Sequence, residues 1–517
     1  MSRTRRFTIN AAANYLRFAV TVVAMFWMTP YIIRHVGAAA FGVWSLIFSA
    51  LGIFALFDCG FSTTIVKYVA DCHADGDRER RNRLVSSISF LYAILSTISA
   101  IAIACLSLAF DHIFSIAPAM KHEALAVLWI LAFRLVILAF PLGVYRDVLF
   151  GEQKIYAVNI VQIVSTVVYS VWTWIALAHH GTLITMAWIN LFSMLGEFAC
   201  YALIAYRLVP GLRVSWRLAN RESIRQELGF SMSQMVVNTA SLVRLRTDPI
   251  IVKFFLSLDA VGIYTIALRI AESALMLSKQ ITNIFAPVVA RMHREGDKDG
   301  VTKILTSGAK LAFAASLAIN LPLCLLAHNI VVAWVGPAFA PAAPVLVVLL
   351  IAMSLVILQM AACSVLTMSG HHKLTARADV AGIAVNLAVS IALARPLGMA
   401  GIALGTLVST VVVDVIYIVG TACRMYGISY QAYILRVILP LVPACLALTA
   451  TVVLVGRVLD LRSLHNVAAC AMCGIASYVI VFLMTGLNAD EKRAAASILK
   501  RRAPKISPDK PAITKVA

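Results

Sequence analysis

Long apolar runs recur along the whole chain, and this pattern excludes most folds. Hydrophobic residues make up 61% of the 517 residues and charged residues only 13%, whereas a soluble globular protein carries about 25% charged residues. Each run has about 20 residues or more, the length of helix that crosses a bilayer. The sequence therefore predicts an all-α polytopic membrane protein, without room for a soluble catalytic domain between its spans.

The spacing of the runs predicts about 14 transmembrane helices. The predicted spans are 9–33, 41–69, 84–110, 122–150, 155–178, 182–206, 229–256, 260–290, 304–327, 339–369, 374–394, 399–423, 432–456 and 464–487. The first run follows three arginines, as in a signal peptide, but it is longer, contains Arg17 and lacks a small-residue cleavage site. We expect it to stay as the first span.

Basic residues alternate strongly between the predicted loops. One set of loops and ends holds 29 Lys and Arg residues, and the other set holds 5. Because basic loops are retained in the cytoplasm, this ratio predicts that both termini are cytoplasmic and that the number of spans is even. The formal net charge of +20 is explained by these loops, so no nucleic-acid partner is expected. The basic tail is expected to lie on anionic membrane lipids.

An internal repeat appears when the sequence is shifted by 220 residues. Residues 69–77 (VADCHADGD) align with 289–297 (VARMHREGD), and the G-V-W at 42–44 aligns with the G-I-Y at 262–264. Six predicted spans separate equivalent points, so both copies have the same orientation. We expect two six-helix halves related by an axis along the membrane normal, with a cavity between them.

The repeat divides the chain into five predicted parts. These are an N-terminal six-helix lobe at 1–206, a basic cytoplasmic connector at 207–228, a C-terminal six-helix lobe at 229–425, two additional transmembrane helices at 426–487, and a basic cytoplasmic tail at 488–517.

Charged side chains inside the predicted spans are the candidates for function, because each costs about 2.5–3.5 kcal/mol at mid-depth. Nine basic and five acidic residues lie inside the predicted spans. The basic residues are Arg17, Lys67, Arg134, Arg244, Arg246, Lys253, Arg269, Lys279 and Lys310, and the acidic residues are Asp58, Glu197, Asp248, Glu272 and Asp414. Lys67 and Lys253 lie near helix ends and are interpreted as reaching the membrane surface. The spacings Arg244/Asp248 and Arg269/Glu272 also allow pairing along one helix.

Arg17, Arg134 and Arg246 have no such neighbour on their own helix. A guanidinium stays charged when buried and binds phosphate oxygens bidentately, so these arginines point to an anionic passenger. The predicted substrate-binding residues are Arg17, Arg134, Arg244, Arg246 and Arg269. Arg246 precedes Pro249 by about one turn, where a bend forms either a gate or an ordinary kink.

The acids Asp58, Glu197 and Asp414 are candidates for coupling to a proton or a sodium ion, although each could also pair with an arginine of another helix. No metal site and no other cofactor are predicted. The C-x-x-C of Cys470 and Cys473 lies in a hydrophobic run, where cysteine serves as a small apolar residue.

Two segments carry a resemblance to a known family: residues 30–44 (PYIIRHVGAAAFGVW) and residues 57–61 (FDCGF). With the repeat and the G-x-x-K at 151–154, the chain resembles bacterial polysaccharide and O-antigen flippases of the multidrug/oligosaccharidyl-lipid/polysaccharide exporter (MOP) superfamily over roughly residues 7–425. The resemblance implies a two-lobed, MATE-like transporter with a cationic cavity. It also implies a substrate, an undecaprenyl-pyrophosphate-linked oligosaccharide turned to the outer leaflet for O-antigen, exopolysaccharide or capsule synthesis.

Two other functions compete with a flippase. A multidrug/cation antiporter has the same fold but requires a carboxylate-rich pocket, and the in-span charges have the opposite sign. A membrane-embedded glycan polymerase or ligase requires catalytic side chains on a sizeable outer loop, and predicted outer segments such as 34–40, 179–181 and 257–259 are short. The expected partners are an anionic lipid-linked oligosaccharide, membrane lipids and other polysaccharide-assembly proteins.

Overall fold

The computed structural model describes residues 3–54, 58, 60–114, 116–220, 246–282, 285–489 and 491–493, and this part of the chain is nearly all helical. Its α-helices are α1 Arg3–Val36, α2 Ala38–Phe54, α3 Phe61–Asp75, α4 Arg78–Phe114, α5 Pro118–Phe133, α6 Phe140–Gly151, α7 Ile155–Ala178, α8 Leu183–Leu208, α9 246–255, α10 Leu258–Thr282, α11 Phe285–Arg294, α12 Lys298–Lys303, α13 Ala309–Leu325, α14 Ala327–Val335, α15 Ala342–Leu366, α16 His372–Ser409, α17 Gly420–Met425, α18 Tyr430–Val437, α19 Val442–Val458 and α20 Leu464–Val481. Short π-helical segments at 134–139, 304–308, 367–371, 410–419 and 482–486 continue several of them.

Ten stretches of the described chain are long and apolar enough to cross a membrane. One of them, Ala342–Met425, has 84 residues, enough for three spans, and its backbone is non-helical at Gly370 and Gly398. The second predicted span coincides with α2 and α3, and the described end of the seventh coincides with α9. The predicted all-α, multi-pass membrane architecture is confirmed, and a count of fourteen spans fits it.

The repeated motif forms the same turn in both halves. Gly76 and Gly296 follow α3 and α11 with φ of 72° and 71°, a left-handed conformation that ends helices. In each turn the next residue, Asp77 or Asp297, donates its N–H to the carbonyl oxygen five residues earlier, at 3.1 and 2.9 Å. The aspartate side chain then accepts the N–H three residues later, at 2.9 and 2.8 Å. The glycine ends one helix and the aspartate caps the next.

The two halves meet at equivalent positions of the repeat, where α2 crosses α10. A Cβ atom added at Gly42 would lie 2.0 Å from the carbonyl oxygen of Leu258, and one added at Gly262 would lie 2.9 Å from that of Ala38. Both pairs of equivalent residues, 42/262 and 38/258, are 220 positions apart. Such a reciprocal contact is the pattern of a two-fold axis, so the pseudo-symmetry axis of the repeat passes between these glycines.

Helices α19 and α20 pack on the C-terminal half beside α13. Buried Lys310 of α13 donates to the carbonyl oxygen of Gly486 at 3.0 Å and pairs with Glu491 at 2.6 Å. Burial raises the pKa of the Glu491 carboxyl, but hydrogen bonds from Lys310 and from the Asn488 amide outweigh this effect and hold the pKa below its usual value. The described residues that follow the last span are thereby fastened to the C-terminal half, and residues 494–517 of the predicted basic tail lie outside the described residues.

Candidate functional site

A cavity of about 320 Å³ lies between the two halves. Helices α1, α2, α7 and α8 of the first half form one wall, and α9 and α10 of the second half form the other. Its polar lining consists of Thr21, Thr29, Ser45, Ser49, Thr166, Tyr169, Ser170, Asn190, Arg246, Thr265, Arg269 and Glu272. The cavity therefore combines hydroxyl groups with two guanidinium groups in the interior of a membrane protein.

Arg246 lines this cavity from α9, together with Pro249. Its side chain passes over Gly52 of α2, where an added Cβ atom would lie 3.2–3.4 Å from Cδ, Cγ and Nε of the arginine. The missing side chain at Gly52 leaves the room that Arg246 occupies. Within the described part of the chain, Arg246 makes no hydrogen bond or contact ion pair, so its donors are available to a ligand.

Arg269 lines the same cavity from α10. Its Nη1 donates to Thr29 Oγ1 at 3.1 Å, and its guanidinium lies over the Phe41 ring, 5.2 Å from the centroid. Glu272 also lines the cavity, yet among the described residues no contact ion pair joins it to Arg269. The pairing that their spacing allows is therefore absent as a direct contact, and Arg269 bridges the two halves instead.

Arg134 lies behind the wall of the cavity, at the start of a π-helical segment. Its Nη1 donates to Asn190 Oδ1 at 2.8 Å, and its guanidinium lies 5.2 Å from the Phe48 ring centroid. Both contacted residues line the cavity. The Nε atom of Arg134 is buried without a hydrogen-bond partner in the described structure. Arg134 thus adds positive charge beside the cavity and orients one of its polar groups.

Arg17 is placed differently from the other arginines. Its Nη2 donates to Asn14 Oδ1 on the same helix at 3.2 Å, and its side chain is not part of the cavity lining. Thr21, one turn further along α1, does line the cavity. Arg244, with its predicted pairing to Asp248, lies outside the described residues. Of the five predicted substrate-binding arginines, the structure brings Arg246 and Arg269 to the cavity itself.

The three candidate coupling acids lie in separate surroundings. Asp58 accepts a hydrogen bond from Tyr92 at 2.5 Å, and Glu197 accepts one from Tyr201 at 2.7 Å. Asp414, in contrast, lines a second cavity of about 130 Å³ within the C-terminal half. Of the three candidate acids in the described chain, Asp414 alone lines this second cavity.

Two further carboxylates, Asp248 and Asp379, line the second cavity, as does Lys279. Asp248 accepts hydrogen bonds from Tyr264 at 2.6 Å and from Thr406 at 3.1 Å. Asp379 is not among the acids predicted from the sequence, although it lies inside the predicted span 374–394 and could have been identified by the same criterion. In the described chain no group of three or more acidic, histidine or cysteine ligands converges as a metal site.

The two cavities are neighbours. Leu268 of α10 lines both of them, and on α9 the adjacent residues Asp248 and Pro249 face the second and the first cavity, respectively. A movement of α9 would therefore alter both cavities together.

Comparison with known proteins finds a family and a membrane protein of similar sequence. A family model described as polysaccharide biosynthesis protein matches residues 10–293, more than half of the chain. The uncharacterized membrane protein EpsK of Bacillus subtilis (strain 168) is 22% identical over 453 residues, which cover 86% of this chain and 88% of EpsK.

Two solved structures have a similar fold. The lipid II flippase MurJ, in an inward closed conformation, has a TM-score of 0.68 at 12% identity, and the match covers 96% of this chain and 100% of MurJ. An inward-facing multidrug resistance MATE family transporter of the MOP superfamily has a TM-score of 0.65 at 16% identity, with 80% of this chain and 96% of that chain covered. The predicted MATE-like fold is confirmed.

Proposed function

The chain belongs to the polysaccharide biosynthesis protein family, and on this premise we propose that it is a flippase for an undecaprenyl-pyrophosphate-linked oligosaccharide in the bacterial inner membrane, with both termini cytoplasmic. The observation that carries the proposal is the pair Arg246 and Arg269, two guanidinium groups on a cavity between the halves. A pyrophosphate fits this pair, because guanidinium groups bind phosphate oxygens bidentately. The hydroxyl lining supplies hydrogen bonds to sugars.

In the proposed cycle the two halves rock about the Gly42/Gly262 contact and expose the cavity to one side of the membrane and then to the other. The protein walls around the two arginines lower the effective dielectric constant and strengthen their attraction for phosphate. Release on the far side follows when rocking separates Arg246 and Arg269 of the second half from the first-half wall that completes the cavity.

The charge of the cavity disfavours the two competing functions. A cationic drug would meet two arginines against one carboxylate, Glu272, which repels it on balance. A polymerase or ligase would require an outer catalytic loop, whereas α1 and α2 are joined by one residue and α7 and α8 by four. We therefore propose a transporter and not an enzyme.

We further propose that transport is coupled to a proton or a sodium ion taken up in the second cavity. Its three carboxylates, Asp248, Asp379 and Asp414, outnumber its one lysine, Lys279. Because α9 contributes to both cavities, neutralising charge in the second would shift the position of Arg246 in the first. Through this coupling, an ion gradient would drive the movement of the two halves and hence net transport of the substrate.

Deletion of the gene tests the proposed function. We expect cells to lose surface polysaccharide and to accumulate the lipid-linked oligosaccharide on the cytoplasmic leaflet, measured by its protection from a membrane-impermeant sugar-oxidising reagent. A plasmid copy should restore export. Intact surface glycan together with increased sensitivity to cationic drugs would instead support the antiporter, and unpolymerised glycan on the outer leaflet would support a polymerase or ligase.

The coupling proposal predicts that transport by the Asp414→Asn variant no longer responds to an imposed proton or sodium gradient. In proteoliposomes, wild-type transport should rise roughly tenfold under the correct proton or sodium gradient, equivalent to about 1.4 kcal/mol of driving force. Asp414→Asn should retain only the gradient-independent rate. Exposed Asp259→Asn, in the same half, serves as the control and should behave like wild type. A gradient response retained by Asp414→Asn would refute the assignment.

A further inference from the structure

An apolar groove of about 530 Å³ runs between α1 and α7 on the outside of the first half. Val23, Trp27 and Trp174 line it, and their side chains are 64%, 67% and 50% exposed. These residues lie within predicted spans, so the groove faces the hydrocarbon of the bilayer. Six residues of α1 between Ala19 and Met28 border it, over a length of about 14 Å at 1.5 Å per residue.

Hydrogen bonds hold α1 against the α7 region on both sides of the groove. At one end, Asn10 donates to the carbonyl oxygen of Gln153 at 3.3 Å and accepts from the N–H of Tyr156 at 3.0 Å. At the other end, the hydroxyl of Tyr31 donates to the carbonyl oxygen of Trp174 at 3.1 Å. The groove lies between these clamps, so it is a built feature of the helix pair.

The groove is continuous with the cationic cavity. Ala24, Met28 and Ser170 line both spaces. Two of these three side chains are small, and they stand where an opening between α1 and α7 would have to pass. A molecule that carries an anionic group in the cavity could therefore extend an apolar chain directly into the groove.

We propose that this groove binds the first isoprene units of a polyprenyl tail while its pyrophosphate lies at Arg246 and Arg269. The inference rests on the proposed function and adds to it a binding site for the tail. A single unsaturated hydrocarbon chain matches an almost wholly apolar groove that is one helix pair wide. The sugars stay on the hydroxyl-lined side, so the groove fixes the direction in which the amphiphile enters the cavity.

Photo-crosslinking tests the occupant without disturbing the packing. A benzoylphenylalanine in place of Val171, which is 47% exposed in the groove, should crosslink to lipid-linked oligosaccharide carrying radiolabelled sugar. The same residue at Val164, 55% exposed on α7 but outside the groove, should give less than a tenth of that label. Equal labelling at both positions, or labelling of phospholipid alone at Val171, would mean that bulk lipid fills the groove and would overturn the proposal.

A substitution in the groove, away from the cavity, separates the tail site from the headgroup site. Ala19→Trp, at a residue that lines the groove but not the cavity, should weaken binding of the undecaprenyl-linked oligosaccharide roughly tenfold, the effect of unburying about two methylene groups. Binding of a short-tailed analogue with the same pyrophosphate and sugars should change less than twofold. Val164→Trp is the control. An equal loss of affinity for both ligands would contradict the tail site but not the proposed function. Failure of the wild-type protein to bind either ligand would contradict the proposed function itself.

Discussion

Cells that carry Arg246→Ala are expected to lose export of surface glycan while keeping normal amounts of the protein. Each charge-assisted hydrogen bond is worth about 1.5–3 kcal/mol, which corresponds to a roughly ten- to hundredfold loss of transport. The protein should still fold, because in the described chain Arg246 makes no hydrogen bond or contact ion pair, and Arg269 remains to offset the charge of the Glu272 carboxylate. Arg246→Lys should rescue only in part, since an ammonium cannot make the bidentate contact.

Lys253→Ala is the matched control for this prediction. Lys253 lies on the same helix two turns further along but does not line the cavity, so its loss should leave export nearly unchanged. Surface glycan and protein abundance would be measured in the same cells. Full export by Arg246→Ala would rule out a required role for this arginine and would remove the support for the cavity as the substrate-binding site.

The membrane explains why so much of the fold can be predicted from sequence. A span must be about 20 residues long and must satisfy its own backbone hydrogen bonds, so hydropathy locates helices directly. The repeat could also be predicted, because the turn at Gly76 and Gly296 requires a left-handed residue followed by a helix-capping aspartate. Buried charge is costly, and this cost is why Arg246 and Arg269 stood out in the sequence.

The directions of side chains could not be predicted in the same way. A span that is apolar on all sides has no hydrophobic stripe to show which face is buried, so the sequence does not reveal that Arg17 points towards Asn14. Long-range partners are equally hidden. Lys310 pairs with Glu491, which lies 181 residues further along the chain, and Arg134 donates a hydrogen bond to Asn190, which lies 56 residues further along.

A methyl group at Gly42 is expected to disable the proposed transport through the contact between the two halves. The added atom would lie 2.0 Å from the carbonyl oxygen of Leu258, a backbone atom that cannot rotate away, so α2 and α10 would have to separate. Overpacking of this kind costs about 1–3 kcal/mol. We expect Gly42→Ala to lower thermal stability in detergent and to reduce export roughly tenfold, since about 1.4 kcal/mol is a factor of ten.

The equivalent substitution on the other side of the pseudo-symmetry axis supplies a graded comparison. At Gly262 the added atom would lie 2.9 Å from the carbonyl oxygen of Ala38, so Gly262→Ala should have the same kind of effect but a smaller one. Gly196→Ala is the control, because nothing lies within 4 Å of the added atom and alanine favours a helix. Since the contact holds both halves, stability and export should fall together in the order Gly196, Gly262, Gly42. If Gly42→Ala matches Gly196→Ala in both measurements, close packing at the axis is not needed for transport.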